Sequence, residues 1–119
     1  MHNFENASLY QWLNQQPKSK LDQLPYGLVK MDHEGIIKAY NAIESGYTGV
    51  DPDGAIGKNF FTEVAPCTNN FMVAGKFEAS EVDETLDYIF TYIMKPTPVR
   101  LRLLKGDAPS MYLLVQKRQ

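Results

Sequence analysis

The last third of the chain alternates between apolar and other residues. From Thr85 to Met94, Leu86, Tyr88, Phe90, Tyr92 and Met94 fall on one side, with Asp87 and Thr91 among those on the other, which predicts a strand with one buried face. Val99 to Leu104 and Met111 to Gln116 predict two further strands around a loop at Gly106 to Ser110. Lys95, Pro96, Thr97 and Pro98 make the break before them, because proline cannot donate to a ladder. Nearer the start, GLVKM and IIKAY flank Asp32, His33, Glu34 and Gly35, a hairpin whose last turn residue suits a positive φ. The stretch NAIESGYTGVDPDGAIGKNFF is too broken by Gly and Pro for a long helix and predicts several of one or two turns. After Pro66 and Cys67, residues 70 to 82 place Phe71, Ala74, Phe77 and Glu78 at helical spacing, with Met72 and Val73 widening the apolar face, which predicts one helix.

Residues 1 to 23 differ in character. Asn6 or Ser8 can cap a short helix carrying Leu9, Trp12 and Leu13, and QQPKSK breaks it. So short a helix is marginal alone, so this segment is expected to dock as a helical cap, held by few apolar side chains, on a main domain over 24 to 119. Two strands, short helices, one longer helix and three strands predict an α+β domain with a five-stranded antiparallel sheet flanked by short helices.

Composition narrows the function classes. At 119 residues the chain is one domain by length. A net charge of −2 leaves no basic stripe for a phosphate backbone, so nucleic acid is not an expected partner. No apolar run approaches the ~20 residues of a membrane span, and MHNFENASLYQ lacks the charged and apolar regions of a signal peptide; a cytoplasmic protein with no membrane partner is expected. One cysteine excludes an intramolecular disulfide and a multi-cysteine metal cage. Cys67 is thus either a small buried hydrophobe or a group with special chemistry. A cysteine hydrolase would need a histidine base. His2 lies at the N-terminal end and His33 in the hairpin turn, neither with an evident route to Cys67, so no enzyme is expected. On residue type alone, Glu44 reads as a solvated helix charge, Tyr40 as core or rim, Thr48 as a turn or local cap and Phe90 as core.

The element order is that of PAS domains, and IIKAYNAIES and AIGKNFF look like the PAS second strand, short helix and Gly-Lys connector. YNAIESGYTGVDP followed by NFFTEVAPCTNN resembles the photoactive yellow protein family more specifically. The resemblance spans roughly residues 21 to 119 and is densest from Tyr40 to Cys67. It rests on Tyr40, Asn41, Glu44, Thr48, Gly57 to Phe61, Val64 to Thr68, Tyr88, Phe90 and Met94 in matching order.

The resemblance implies a blue-light photoreceptor with 4-hydroxycinnamic (p-coumaric) acid attached as a thioester to Cys67. Tyr40 and Glu44 would hydrogen-bond its phenolate oxygen, with Thr48 supporting Tyr40. Phe90 and Met94 would contact the chromophore, Met94 also aiding its return to the dark isomer. Ala65, Pro66 and Thr68 would shape the attachment pocket, and Val50, Val64 and Tyr88 complete the binding positions. Trans–cis photoisomerisation, proton transfer from Glu44 and partial unfolding or cap release would then signal to an unknown downstream protein, from a monomer or weak dimer. Two departures stand out: Val50 takes the place of an arginine common in the family, and both the cap and the stretch before Thr85 are slightly shorter. The competing reading is a PAS-type ligand-binding or dimerisation module without a chromophore. A flavin sensor fits less well, because Cys67 does not lie in an Asn-Cys-Arg-Phe setting.

Overall fold

The computed structural model describes residues 3–91 and 96–118. Its strands are β1 Gly27–Met31, β2 Ile37–Tyr40, β3 Val82–Phe90, β4 Thr97–Lys105 and β5 Met111–Lys117. They form one five-stranded sheet in the order β2-β1-β5-β4-β3, every neighbouring pair antiparallel. The β1–β2 hairpin closes as the sequence suggests: Asp32 Oδ1 accepts from the N–H groups of Glu34 and Ile36, and Gly35 takes φ +86°. A side chain there would be strained in the left-handed region.

Alternation along the strands splits the apolar residues between two faces. Val29, Met31, Ile37, Leu101, Leu103, Leu113 and Val115 join one core, while Leu28, Ala39, Leu104, Tyr112 and Leu114 join the other. On the first side lie α3 Ala42–Thr48, α4 Pro52–Ala55, a π-helical turn at Phe60–Val64 and 3-10 turns at Pro66–Thr68 and Ala74–Glu78. On the second lie α1 Leu9–Asn14 and α2 Lys18–Leu21. Among the described residues no helix is long and apolar enough to cross a membrane.

Four expectations change. Residues 70 to 82 do not form one helix, because Asn70 Oδ1 accepts from the N–H groups of Met72 and Val73 and turns the chain, the competition by which asparagine disfavours helix interiors. Val73 and Phe77 are buried, whereas Phe71 is 83% exposed. Strand β3 therefore starts early, at Val82; Tyr92 and Met94 lie outside the described residues. Strand β4 includes Thr97 and Pro98 instead of starting after them. Pro98 stands where β5 ends, its carbonyl accepting from Arg118 N–H at 3.0 Å, so its missing donor costs at most the final rung.

The cap is also more substantial than expected. Pro17 interrupts the first helix and begins the second. Phe4, Leu9, Leu13 and Leu21 are buried against the sheet, with Trp12 only partly covered. Arg102 Nη1 donates to the carbonyls of Phe4 (2.9 Å) and Asn6 (2.8 Å), and Tyr10 Oη donates to Ser110 O (2.9 Å). Asn6 acts through an Asx turn, its Oδ1 accepting from Ser8 N–H, and Ser8 makes no side-chain cap bond.

Candidate functional site

Strand β2 ends on Tyr40, 1% exposed, and the next residue starts a helix. Asn41 is why the chain turns there. Its Oδ1 accepts from Glu44 N–H and Leu28 N–H, both at 3.0 Å, while its Nδ2 donates to Leu21 O (3.0 Å) and Tyr26 O (2.9 Å). One amide thus caps α3, fixes it to β1 and reaches the cap.

Glu44, in the first turn of α3, is completely buried, and neither carboxyl oxygen has a hydrogen-bond partner. Space for it comes from Gly27: a Cβ there would stand 2.7 Å from Glu44 Oε1. Burial favours the neutral acid and raises its pKa from 4.5 to about 8, so it holds a proton at neutral pH. An unpaired buried carboxyl is costly, and native proteins rarely keep one without a use.

Tyr40 Oη lies 2.7 Å from Thr48 Oγ1, which also accepts from Val50 N–H at 3.1 Å. Burial chiefly, then the nearby Glu44 charge, pushes the Tyr40 hydroxyl well above its ordinary pKa, with the Thr48 bond opposing. Tyr40 therefore keeps its hydroxyl proton; either hydroxyl can donate in the pair with Thr48, and when Thr48 donates the Tyr40 hydrogen is left for another acceptor. Ser45 Oγ donates to Val50 O at 2.7 Å and fixes the loop that follows α3.

Cys67 sits in the turn Pro66–Thr68 as a half-buried free thiol. Its carbonyl accepts from Tyr88 Oη at 2.6 Å and from Asn70 Nδ2 at 3.0 Å. Val64 and Ala65, buried, lead into the turn, and buried Thr68 closes it by donating to Ala65 O at 2.7 Å. Pro66 is exposed and opens the turn. Phe90, 2% exposed, packs edge to face against Tyr88.

Tyr40, Val64, Ala65 and Phe90 thus share one core, with Val50, Cys67 and Tyr88 partly buried against it. Thr48 joins through its bond to Tyr40, and Glu44 lies near enough for its charge to raise the Tyr40 pKa. Met94 lies outside the described residues. Three contributors were given no role in the sequence reading. Asn41 was findable as an N-cap before an inward glutamate; Gly27, which acts through distant contact, and the side chain of Asn70 left no local signal.

No protein-family model matches the chain. Solved structures do: the PAS domain of an HTR-like protein from Haloarcula marismortui has a TM-score of 0.68 at 11% identity, covering 91% of this chain and 99% of that one. This likeness concerns the fold alone and, with the sheet order, makes it a PAS-type fold. The photoactive yellow protein domain of the sensor histidine kinase Ppr from Rhodospirillum centenum is nearer: TM-score 0.82, 34% identity, 90% of this chain and 98% of that one. Photoactive yellow protein from Halochromatium salexigens is 40% identical over 102 residues, 82% of either chain. Its counterpart from Cereibacter sphaeroides is 33% identical over 119 residues, 96% of this chain and 95% of the relative. The chain belongs to the photoactive yellow protein family and is a PAS-domain photoreceptor.

Proposed function

We propose that this photoreceptor responds to blue light through 4-hydroxycinnamate held as a thioester on Cys67, with Glu44 and Tyr40 donating hydrogen bonds to the phenolate oxygen. The observation that carries the reading is the Glu44 carboxyl, fully buried and bonded to nothing, a setting in which burial favours the neutral acid. A donor kept in that state suits an acceptor with negative charge. The group supplies visible absorption and a double bond that light can isomerise.

The protein's part is to hold charge and answer its movement. Glu44 holds a proton beside Tyr40 in the dark. Were Glu44 to give it up, a carboxylate would be left unpaired between α3 and Gly27, unfavourable by several kcal/mol. A domain has only roughly 5 to 15 kcal/mol of stability, so such stress can release a weakly held unit. Asn41 supplies the route outward: it caps Glu44 N–H and holds Leu21 O, the last residue of α2. Undocking of the cap is then the output. One relative's domain belongs to a sensor histidine kinase, and a signalling protein or linked domain is the proposed reader here.

To test this, the chain is mixed with 4-hydroxycinnamate activated at its carboxyl. Cys67 Sγ displaces the activating group, the thiol proton leaves with it, and a thioester forms. A yellow protein heavier by one acyl group is expected, and neither change with Cys67→Ser. Glu44→Gln, a weaker donor, should move the band to longer wavelength; an unchanged band with unchanged light-induced exposure of residues 9–21 would sink the Glu44 role. A colourless wild type would return the chain to a PAS module that works without a chromophore.

A further inference from the structure

Asn70 uses its whole side chain. Its Nδ2 donates to Cys67 O at 3.0 Å and to Tyr88 Oη at 2.7 Å; its Oδ1 accepts from Met72 N–H at 2.9 Å and Val73 N–H at 3.1 Å. Both hydrogens and both lone-pair positions are engaged. A local Asx turn needs only the bonds to Oδ1. The two from Nδ2 reach elsewhere: back to the Cys67 turn, and across to β3 through Tyr88, whose hydroxyl donates to the same Cys67 carbonyl at 2.6 Å.

Three groups close on one another here, the Cys67 carbonyl, the Tyr88 hydroxyl and the Asn70 amide. Thr68 contributes nothing to this triangle, its hydroxyl being engaged within its own turn. On the far side of Asn70 the chain presents Phe71, 83% exposed, and Met72, 44% exposed. These two apolar side chains on a loop stand directly beyond the amide that grips the cysteine.

We infer that Asn70 is a positioning residue: with Tyr88 it clamps the Cys67 carbonyl, and through its side-chain oxygen it transmits displacement of that carbonyl to the Phe71–Met72 loop. The clamp concerns the chain alone, whereas the transmission rests on the proposal that Cys67 carries the light-sensitive group. A carbonyl pulled from its two donors leaves the Asn70 amide held on that side by Tyr88 alone, so the amide can rotate and withdraw Oδ1 from the Met72 and Val73 amides. The loop then loosens at the point where it displays its apolar side chains, giving an output separate from the cap.

Two measurements test this. In the chromophore-free protein, the rate at which Cys67 reacts with an aromatic disulfide reagent reports how firmly its turn is held. Asn70→Ala and Tyr88→Phe should each raise that rate by about fivefold, the factor matching one neutral hydrogen bond. The double variant should fall short of the product, because both act on one carbonyl. Asn69→Ala, an exposed neighbour, should leave the rate alone. Equal rates in Asn70→Ala, Tyr88→Phe and wild type, or fully multiplicative effects, would overturn the clamp; Tyr88→Phe keeps the ring and serves if Asn70→Ala folds poorly.

In the loaded protein, light should speed hydrogen exchange at the Met72 and Val73 amides in wild type. In Asn70→Ala that light–dark difference should vanish while the difference in residues 9–21 persists. A difference at Met72 and Val73 that survives Asn70→Ala, or is absent from a coloured wild type, would overturn the transmission. A wild type that takes up no colour would fail the chromophore reading, and the thiol rates would still decide the clamp.

Discussion

The two faces of the sheet are both closed by apolar side chains, yet they treat buried polar groups in opposite ways. On the cap side, Arg102 is 5% exposed and grips both Asp83 carboxylate oxygens at 3.0 Å as well as the carbonyls of Phe4 and Asn6. Tyr112 Oη donates to Asn14 Oδ1 at 2.8 Å. On the other side Glu44, more deeply buried, bonds to nothing through its carboxyl. Arg118 Nε is also unbonded, but that guanidinium pairs with Asp87 through Nη1 at 3.5 Å. A buried charge with all its partners inside the chain is architecture. A buried acid with none points to function, and it separates these faces better than their hydrophobicity does.

The sharpest way to break this contrast is pH. Between the unfolded value of 4.5 and the folded value of about 8 for Glu44, the folded chromophore-free protein binds one proton more than the unfolded chain. The Glu44 contribution to stability is therefore fully present below pH 4.5, falls as pH rises toward 8 by up to ~1.4 kcal/mol per unit, and amounts to several kcal/mol in all. Urea denaturation across that range checks it, and Glu44→Gln should flatten the fall. A fall of the same size in Glu44→Gln would place its origin elsewhere.

The cap face should respond to lost packing instead. Leu13→Ala removes a fully buried side chain and should cost about 3 kcal/mol by thermal unfolding, without moving the visible band of the loaded protein. Arg102→Met comes next, at about 2 kcal/mol. It strips the donor from two carbonyls, whereas Asp83, its side chain 56% exposed, can turn to water and adds little. Faster hydrogen exchange at residues 9–14 should accompany it. A band shift in either variant as large as that of Glu44→Gln would mean the faces are not independent.

What could be read from the sequence follows the same division. Strands and hairpin were legible because period-two alternation and a Gly-ended turn are local signals, and Asp32 and Gly35 behave as their types suggest. The helix expected over 70 to 82 failed because spacing counts apolar residues but does not detect Asn70 capturing two backbone amides. Phe71 consequently faces water although its position fits a buried stripe. At the site, Cys67, Tyr40 and Glu44 emerged from a family resemblance, since each type has a more ordinary use. Gly27 and Arg102 were illegible for a different reason: clearance for Glu44 and a grip on Phe4 both join residues far apart in the chain.

The smallest effect tests Val50, which the family resemblance places where an arginine is common. Val50 is partly buried against the core that also holds Cys67. Its main chain is held independently of its side chain, by N–H donation to Thr48 Oγ1 and acceptance from Ser45 Oγ. Val50→Arg should therefore add a cation without moving the loop. A positive charge near Glu44 favours the carboxylate, so its pKa should fall from about 8, and the loss of stability should end at lower pH. At a position only partly buried the shift should stay below about one unit, and about 0.5 M salt should erase most of it, because the screening length then drops to a few Å. The same substitution in a Glu44→Gln background should leave the pH profile flat. A profile unmoved at low salt would show that position 50 does not govern the charge around Glu44, and the arginine-to-valine departure would lose its electrostatic meaning.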